Sequence, residues 1–276
     1  MTTSRTSYKE LSIPYFKEVF EIIDKVMSQL GLPYYLIGVN AIALELLKDE
    51  IKPSRGTKDI DFAIMVSTIS QYDGIVEELV INGFKKVEAP WTFYHAKYNV
   101  AIDLLPFGEI EEQHTLPFSK RVSNLHVLGL KEVLEKPSQV EVEDIIVNIP
   151  PLPGMVLLKL VAWSDRPEER DNDLSDILKI IQHYYDYHWD DITNNHNDLL
   201  KDPFDRLKIS ARVLGREASQ YLQKSKALKE RIHKVLNENL KDLTRSKIGL
   251  DWAKALDTDV EYGSEILRAF ELGLSD

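Results

Sequence analysis

The chain has 276 residues, of which 43% are hydrophobic, and a formal net charge of -11 at pH 7. Its length allows one large or two ordinary globular domains with ample core material, and its acidity argues against a broadly basic nucleic-acid surface. The absence of cysteine excludes disulfides and thiolate metal sites. Because no apolar run could span a bilayer and no signal pattern begins the sequence, we expect a cytoplasmic protein without membrane contacts.

The first 150 residues predict a mixture of strands and helices. A helical spacing of apolar residues fills 7–30, and Gly31 ends it. Short apolar runs separated by turn residues then predict a succession of elements. Strands are predicted at 32–37, 60–66, 84–87, 92–96, 98–105, 122–128 and 140–147, with helices at 41–48 and 69–82. The last two strands would extend the sheet or form a hairpin at its edge. This order predicts an α+β domain with a mixed sheet and flanking helices.

The prolines at 150, 151 and 153 mark the predicted boundary between two domains, 1–150 and 151–276. Proline denies the backbone a donor, so a strand ends and a helix begins there. Helices are predicted from Gly154, over 171–187, from Asp202-Pro203 and over 260–274, with one or two more over 218–239. The second domain is therefore predicted to be mainly helical, and its last 88 or so residues carry no motif that suggests chemistry.

Two carboxylates lie two residues apart, Asp59 and Asp61, in a predicted strand. Because side chains alternate along a strand, both point to one face, and such a pair persists most easily beside a cation. Asp103 is a third acid, inside the otherwise apolar strand 98–105. If the two strands are neighbours, the three carboxylates converge and offer the hard oxygen ligands that suit Mg²⁺. Two such ions could activate an attacking oxygen and stabilise a leaving pyrophosphate.

The Asp-x-Asp spacing alone is weak, because it recurs at 171/173 and 257/259, and a solvated strand end is its plain alternative. The ordered set of Gly38, Arg55, Thr57 and the three acids is more specific and favours a nucleotide site. Arg55 lies in a basic loop beside the acids. It could face a triphosphate or only balance charge, and the sequence leaves both interpretations open.

A strand ending in Gly38, a helix near Asn40, Arg55-x-Thr57-x-Asp59-x-Asp61 and a distal Asp103 resemble the nucleotidyltransferase superfamily related to DNA polymerase beta. Within it the chain resembles the abortive-infection toxins of the AbiEii/AbiGii type, over about residues 36–181. The resemblance implies that the three acids are metal ligands. It also implies that the turn at Gly38 and Asn40, with Arg55 and Thr57, binds the nucleotide. Family members usually have a second small residue at this turn, where this chain has Val39.

The second part of the resemblance lies in the helices after residue 154. Lys159 stands in the apolar segment Leu157-Leu-Lys-Leu-Val, and Asn172-Asp173-Leu-Ser-Asp176-Ile matches the family's later helix start. The resemblance implies that Lys159 holds nucleotide phosphates and that Asp173 or Asp176 orients Lys159 or assists the acceptor hydroxyl. Two alternatives stay open: Lys159 could extend its ammonium to solvent, and Asp173 could be a helix-start charge favoured by the macrodipole.

The resemblance implies a Mg²⁺-dependent toxin that transfers NMP from an NTP to a tRNA 3′ end or a protein hydroxyl, with an antitoxin protein as a partner. A small-molecule acceptor, as in aminoglycoside nucleotidyltransferases, is the alternative enzyme. A catalytically degenerate module that only binds nucleotides or partners is the third hypothesis. The presence of Val39 at the phosphate turn favours this hypothesis, whereas the three acids argue against it.

Overall fold

The computed structural model describes residues 7–11, 15–47, 59–109, 115–116 and 125–276. The chain divides into two compact units, Met1–Pro151 and Leu152–Asp276, so that the division falls one residue after the predicted one. Within the described ranges, every helix is too short or too polar to cross a membrane.

A five-stranded mixed sheet forms the centre of the first unit. Its strands are β1 (Tyr34–Leu36), β2 (Asp59–Met65), β3 (Phe84–Lys86), β4 (Thr92–His95) and β5 (Val100–Phe107). They lie in the order β1-β2-β5-β4-β3, and β2 and β5 are parallel while the other neighbours are antiparallel. The predicted α+β class with a mixed sheet is confirmed.

Three helices accompany this sheet: α1 (Phe16–Leu30), α2 (Gly38–Leu47) and α3 (Ile69–Ile81). The helix α1 buries one apolar face, and its Phe20 ring lies 5.9 Å from the ring of Phe62 on β2. The side chain of Thr68 begins α3 by accepting a hydrogen bond from the Gln71 N–H. The sheet face that carries Phe62 is therefore packed into the core of this unit.

In the rest of the first unit, strands were predicted at 122–128 and 140–147, of which residues 122–124 lie outside the described residues. The structure has small two-stranded sheets instead, with β6 (Thr115–Leu116) paired to β7 (Leu125–His126) and, after α4 (Leu130–Val133), β8 (Ser138–Val142) paired to β9 (Ile145–Ile149). The prediction of one strand over 140–147 is wrong because Glu143, with φ 52°, turns the chain there. Neither pair joins the five-stranded sheet.

Seven α-helices build the second unit, as predicted for a helical C-terminal region. They are α5 (Leu152–Asp165), α6 (Asp171–Tyr187), α7 (Trp189–Asn195), α8 (Arg206–Lys224), α9 (Lys226–Leu240), α10 (Lys247–Leu256) and α11 (Val260–Ser275). The helices α8 and α11 approach so closely that a Cβ on Gly215 would collide with the carbonyl oxygen of Phe270. Glycine permits this contact because it has no side chain.

Helix boundaries are the main correction in this unit. The helix predicted from Asp202-Pro203 begins at Arg206, because Asp205 caps it by accepting from the Leu207 and Lys208 N–H groups. One or two helices were predicted over 218–239, and the structure has the end of α8 and then α9 there, divided at Ser225, whose hydroxyl caps α9. The helices α7 and α10 were not predicted from the sequence.

Candidate active site

A polar row crosses three strands of the sheet. Asp61 on β2 is in register with Asp103 on β5, and Asp103 is in register with Thr92 on β4. Side chains at one register position share a face of the sheet, so these three lie side by side. Their chain neighbours point to the other face and are buried, as for Ile60, Phe62, Phe93, Ile102 and Leu104. Strand alternation thus separates a polar face from an apolar one.

Asp59 occupies the next row toward the start of β2, in register with Ala101. It shares its face with Asp61, as the two-residue period predicts, because β2 is regular over both positions. Asp59 is exposed, whereas Asp61 and Asp103 are half-buried. The acids therefore form a short acidic edge in which Asp61 and Asp103 are direct cross-strand neighbours.

The turn at Gly38 lies directly against this acidic edge. The Ile37 N–H donates to the Asp61 carbonyl at 2.9 Å, and Gly38, with φ 70°, begins the ten-residue helix α2. A Cβ at Gly38 would collide with Asp61 Oδ2. Only glycine permits this backbone approach together with a positive φ. The Asp61 carboxylate consequently rests on the first turn of a helix, where the macrodipole favours negative charge.

The Asn40 side chain joins α2 to the start of β2. It is 2% exposed, and its Nδ2 donates to the backbone carbonyl of Asp59 at 3.2 Å. This bond fixes the position at which the chain enters the acidic strand. Arg55 and Thr57, the other two predicted nucleotide-binding residues, lie outside the described residues.

Asp103 has two neighbours that the sequence analysis did not connect with it. The Thr92 hydroxyl donates to Asp103 Oδ1 at 2.5 Å, a length typical of a charged carboxylate acceptor. Tyr72 on α3 is buried, and its hydroxyl donates to the Pro90 carbonyl at 3.3 Å. Burial first, and then the negative charges of Asp73 and Asp103, raise the pKa of the Tyr72 phenol. The phenol is therefore a hydrogen-bond donor at neutral pH.

The donor chemistry of this edge fits Mg²⁺, since carboxylate oxygens are the ligands that the ion prefers. Gly38 also suits a metal site, because the absence of its side chain leaves room for the Asp61 carboxylate, which a Cβ would displace. The side chains of Asp59, Asp61 and Asp103 share a face without meeting at one point. Among the described residues, the three metal-ligating atoms within 4.8 Å of one another belong instead to Asp191, His196 and Glu217.

In the second unit, Lys159 on α5 forms a buried cluster with two acids of α6. Its Nζ lies 2.8 Å from Asp173 Oδ1 and 2.8 Å from Asp176 Oδ2, and all three residues are buried. Burial lowers the pKa of Lys159, but the charges of Asp173 and then Asp176 outweigh it and raise the pKa overall. Lys159 therefore does not extend to solvent, and its ammonium stays charged.

The Asp173 carboxylate is only partly satisfied by this cluster. Its Oδ2 is buried, has no hydrogen bond to any described residue, and lies 3.7 Å from Arg170 Nη1. Lys159 and Arg170 together place two positive charges beside the two carboxylates. The cluster is thus formally balanced in charge and has one under-satisfied acceptor oxygen.

The group of Asp191, His196 and Glu217 was missed because its members lie on separate elements and follow no ligand spacing. His196 Nε2 lies 3.4 Å from Asp191 Oδ2 and 3.6 Å from Glu217 Oε1. However, Arg216 Nη1 is 3.3 Å from His196 Nδ1. Because arginine only donates, Nδ1 must accept, which leaves the proton on Nε2 facing the carboxylates. This tautomer satisfies the group internally and opposes metal binding at Nε2.

No protein-family model matches the chain, and no curated protein matches it. Several solved structures are similar to the chain. They include the antibiotic-resistance factor ANT(2'')-Ia (12% identity, 79% of this chain and 96% of the other, TM-score 0.40). An antigenic nucleotidyltransferase-like protein from Paracoccidioides brasiliensis is 13% identical over 83% of this chain and 95% of the other, with a TM-score of 0.40. The lincosamide antibiotic adenylyltransferase LnuA is 15% identical over 63% of this chain and 98% of the other, with a TM-score of 0.38. Identities and TM-scores this low do not indicate a shared function.

Proposed function

We propose that this protein is a Mg²⁺-dependent nucleotidyltransferase, which transfers NMP from an NTP to an acceptor hydroxyl. The observation that carries the proposal is the acidic edge. Asp61 and Asp103 are neighbours on parallel strands, and Asp61 rests on Gly38 at the start of α2. An acidic pair beside a helix N-terminus provides cation ligands and phosphate-binding amides in one place.

The reaction is an in-line displacement at the α-phosphorus. The acceptor oxygen forms a bond to this phosphorus, the bond to the β-phosphate oxygen breaks, and pyrophosphate leaves. Asp59, Asp61 and Asp103 would hold Mg²⁺, which when bound offsets the triphosphate charge and makes the acceptor hydroxyl more acidic. Asp103 would also take up the acceptor proton. The first N–H groups of α2 would face phosphate oxygens. The Val39 side chain allows the phosphates a less close approach to this backbone than a second glycine would.

The contribution of Lys159 remains a prediction from the resemblance. Its two ion pairs already account for a charged lysine in an apolar helix, without a phosphate. The resemblance implies a phosphate contact for this ammonium, oriented by Asp173 and Asp176, whose carboxylate oxygens lie 2.8 Å from Nζ.

The acceptor and the biological role also rest on the resemblance to AbiEii/AbiGii-type toxins. It implies growth inhibition through a tRNA 3′ end or a protein hydroxyl, and an antitoxin as a partner. A small-molecule acceptor is the second candidate, favoured by the net charge of -11, which would attract a cationic compound such as an aminoglycoside.

The test is label transfer from each α-³²P-labelled NTP in the presence of Mg²⁺. Wild type is incubated with total tRNA, with cell protein or with an aminoglycoside, and pyrophosphate release is followed in parallel. Asp61→Asn and Asp103→Asn are the site variants. Lys226→Met is the matched control, because this lysine lies on α9 with a side chain that is 89% exposed.

Label on RNA, on protein or on the small molecule, lost in both site variants and kept in the control, would support the transferase and identify its acceptor class. Nucleotide binding that requires Mg²⁺ but never releases pyrophosphate would support the degenerate module instead. Pyrophosphate release that is unchanged in Asp61→Asn would refute the site.

A further inference from the structure

We propose that Thr92 is a positioning residue for Asp103, holding its carboxylate for the Mg²⁺ ion; this inference rests on the proposed function. Thr92 opens β4, on the side of β5 opposite to β2. Asp103 therefore stands between Asp61, its neighbour in the acidic edge, and a hydroxyl donor. No feature of the sequence alone connects Thr92 with this site.

Thr92 contacts Asp103 directly through a side-chain hydrogen bond. Thr92 and Asp103 are cross-strand partners, and the hydroxyl donates to Asp103 Oδ1 at 2.5 Å. Both side chains are half-buried, so water competes less for this bond than on an open surface. A hydrogen bond to one carboxylate oxygen restricts rotation of the carboxylate, which otherwise is broad about its last torsion. The orientation of Asp103 is thus set before a metal arrives.

The hydroxyl is not required to hold β4 in place. The Thr92 N–H donates to the Ala89 carbonyl at 3.2 Å, and the Leu104 N–H donates to the Trp91 carbonyl at 2.8 Å. These backbone bonds fix the turn and the strand without the side chain. Threonine hydroxyls often bond to nearby backbone instead, so the use of this one on a carboxylate is a specific arrangement.

Residues that hydrogen-bond to a metal ligand orient that ligand and thereby affect metal binding. Partners that orient a ligand typically contribute about 10- to 100-fold to metal affinity or activity. Removal of the Thr92 hydroxyl should therefore weaken divalent-metal binding by about 10-fold or more. The loss should appear without substrate, because the support acts on the ligand and not on the nucleotide.

The test measures Mn²⁺ binding by the electron paramagnetic resonance signal of the free ion, with pyrophosphate release as a second measurement. The variants are Thr92→Val, which keeps the β-branched shape, and Thr92→Ser, which keeps the hydroxyl. Tyr94→Phe is the matched control, because Tyr94 lies on the same strand and its hydroxyl donates to Asn99 Oδ1 at 2.8 Å instead. Asp61→Asn reports whether the Mn²⁺ bound belongs to this site. Thermal unfolding checks that each variant is folded.

We expect weakened Mn²⁺ binding in Thr92→Val, recovery in Thr92→Ser and wild-type binding in Tyr94→Phe. Equal Mn²⁺ affinity in wild type and Thr92→Val, with binding still sensitive to Asp61→Asn, would overturn the inference and leave the proposed function standing. A lower unfolding temperature with unchanged Mn²⁺ affinity would show a structural role only, and would overturn it as well. Mn²⁺ binding insensitive to Asp61→Asn would overturn both proposals.

Discussion

At the scale of single residues, Gly38 and Asp61 constrain each other. Gly38 has φ 70°, and the space of its missing side chain is filled by Asp61 Oδ2. A conventional turn residue would satisfy neither condition, because a Cβ disfavours positive φ and would here displace the carboxylate. The identity of residue 38 is therefore determined by a partner 23 positions later in the sequence.

Substitution Gly38→Ala should destabilise the first unit by about 1–3 kcal/mol, because alanine is strained at this φ and its Cβ displaces Asp61. Pyrophosphate release should fall further than stability alone explains. Gly74→Ala is the control: Gly74 lies in α3, and a Cβ there would meet nothing within 4 Å. Urea unfolding and pyrophosphate release measure the two effects. Equal behaviour of the two variants would contradict the assigned constraint.

Sequence periodicity predicted part of this arrangement and could not predict the rest. The common face of Asp59 and Asp61 follows from the two-residue period of a strand, which requires no knowledge of neighbours. The pairing of β2 with β5 was assumed and not predicted. The contact of Thr92 with Asp103 could not be predicted either, since a threonine in a short strand is ordinary until the register places it beside Asp103.

At the scale of elements, α5 and α6 are joined by charge within an apolar interface. Lys159 lies in a helix whose buried residues are otherwise almost all apolar, and its two partners are on α6. Such a cluster specifies how two helices pair, because any other register would leave a buried charge without its partner. The sequence indicated the individual residues, but only the packed helices show that both acids meet one lysine.

Substitution Lys159→Met should destabilise the second unit by about 3–5 kcal/mol, because it leaves two buried carboxylates without their cation. Replacing the partners as well, in Lys159→Met with Asp173→Asn and Asp176→Asn, should restore much of the loss. Urea unfolding followed by circular dichroism measures both. A fully stable Lys159→Met variant with impaired NTP binding would show instead that the lysine acts on the nucleotide alone.

Element boundaries differed from the predictions where a cap or a turn depends on one side chain. Asp205 and Ser225 begin helices that apolar periodicity alone placed elsewhere. Glu143 turns a run of alternating residues into a hairpin, although glutamate is not a typical turn residue at positive φ. Periodicity finds the faces of elements well, whereas their ends are set by local hydrogen bonds.

At the scale of the whole molecule, the two units carry different kinds of acidic group. The first has the acidic edge of the sheet, whose carboxylates share one face. The second has acids that are internally paired, with Lys159 in one case and with His196 in the other. At these two clusters an ion would have to displace a partner already in place. We expect a divalent ion at the acidic edge instead, because its carboxylates share one face and suit Mg²⁺.

Addition of Mg²⁺ should slow hydrogen exchange of backbone amides in β2 and β5, and leave the amides of α5 to α11 unchanged. At about 100 times the dissociation constant, the ion stabilises the binding-competent state by about 2.7 kcal/mol, which is readily detected as protection. Chelation should reverse the effect, and Asp61→Asn should abolish it. Protection that appears at α7 and α8 would place the ion at Asp191, His196 and Glu217. That outcome would require Arg216 to release His196 Nδ1, and it would remove the metal from the proposed reaction.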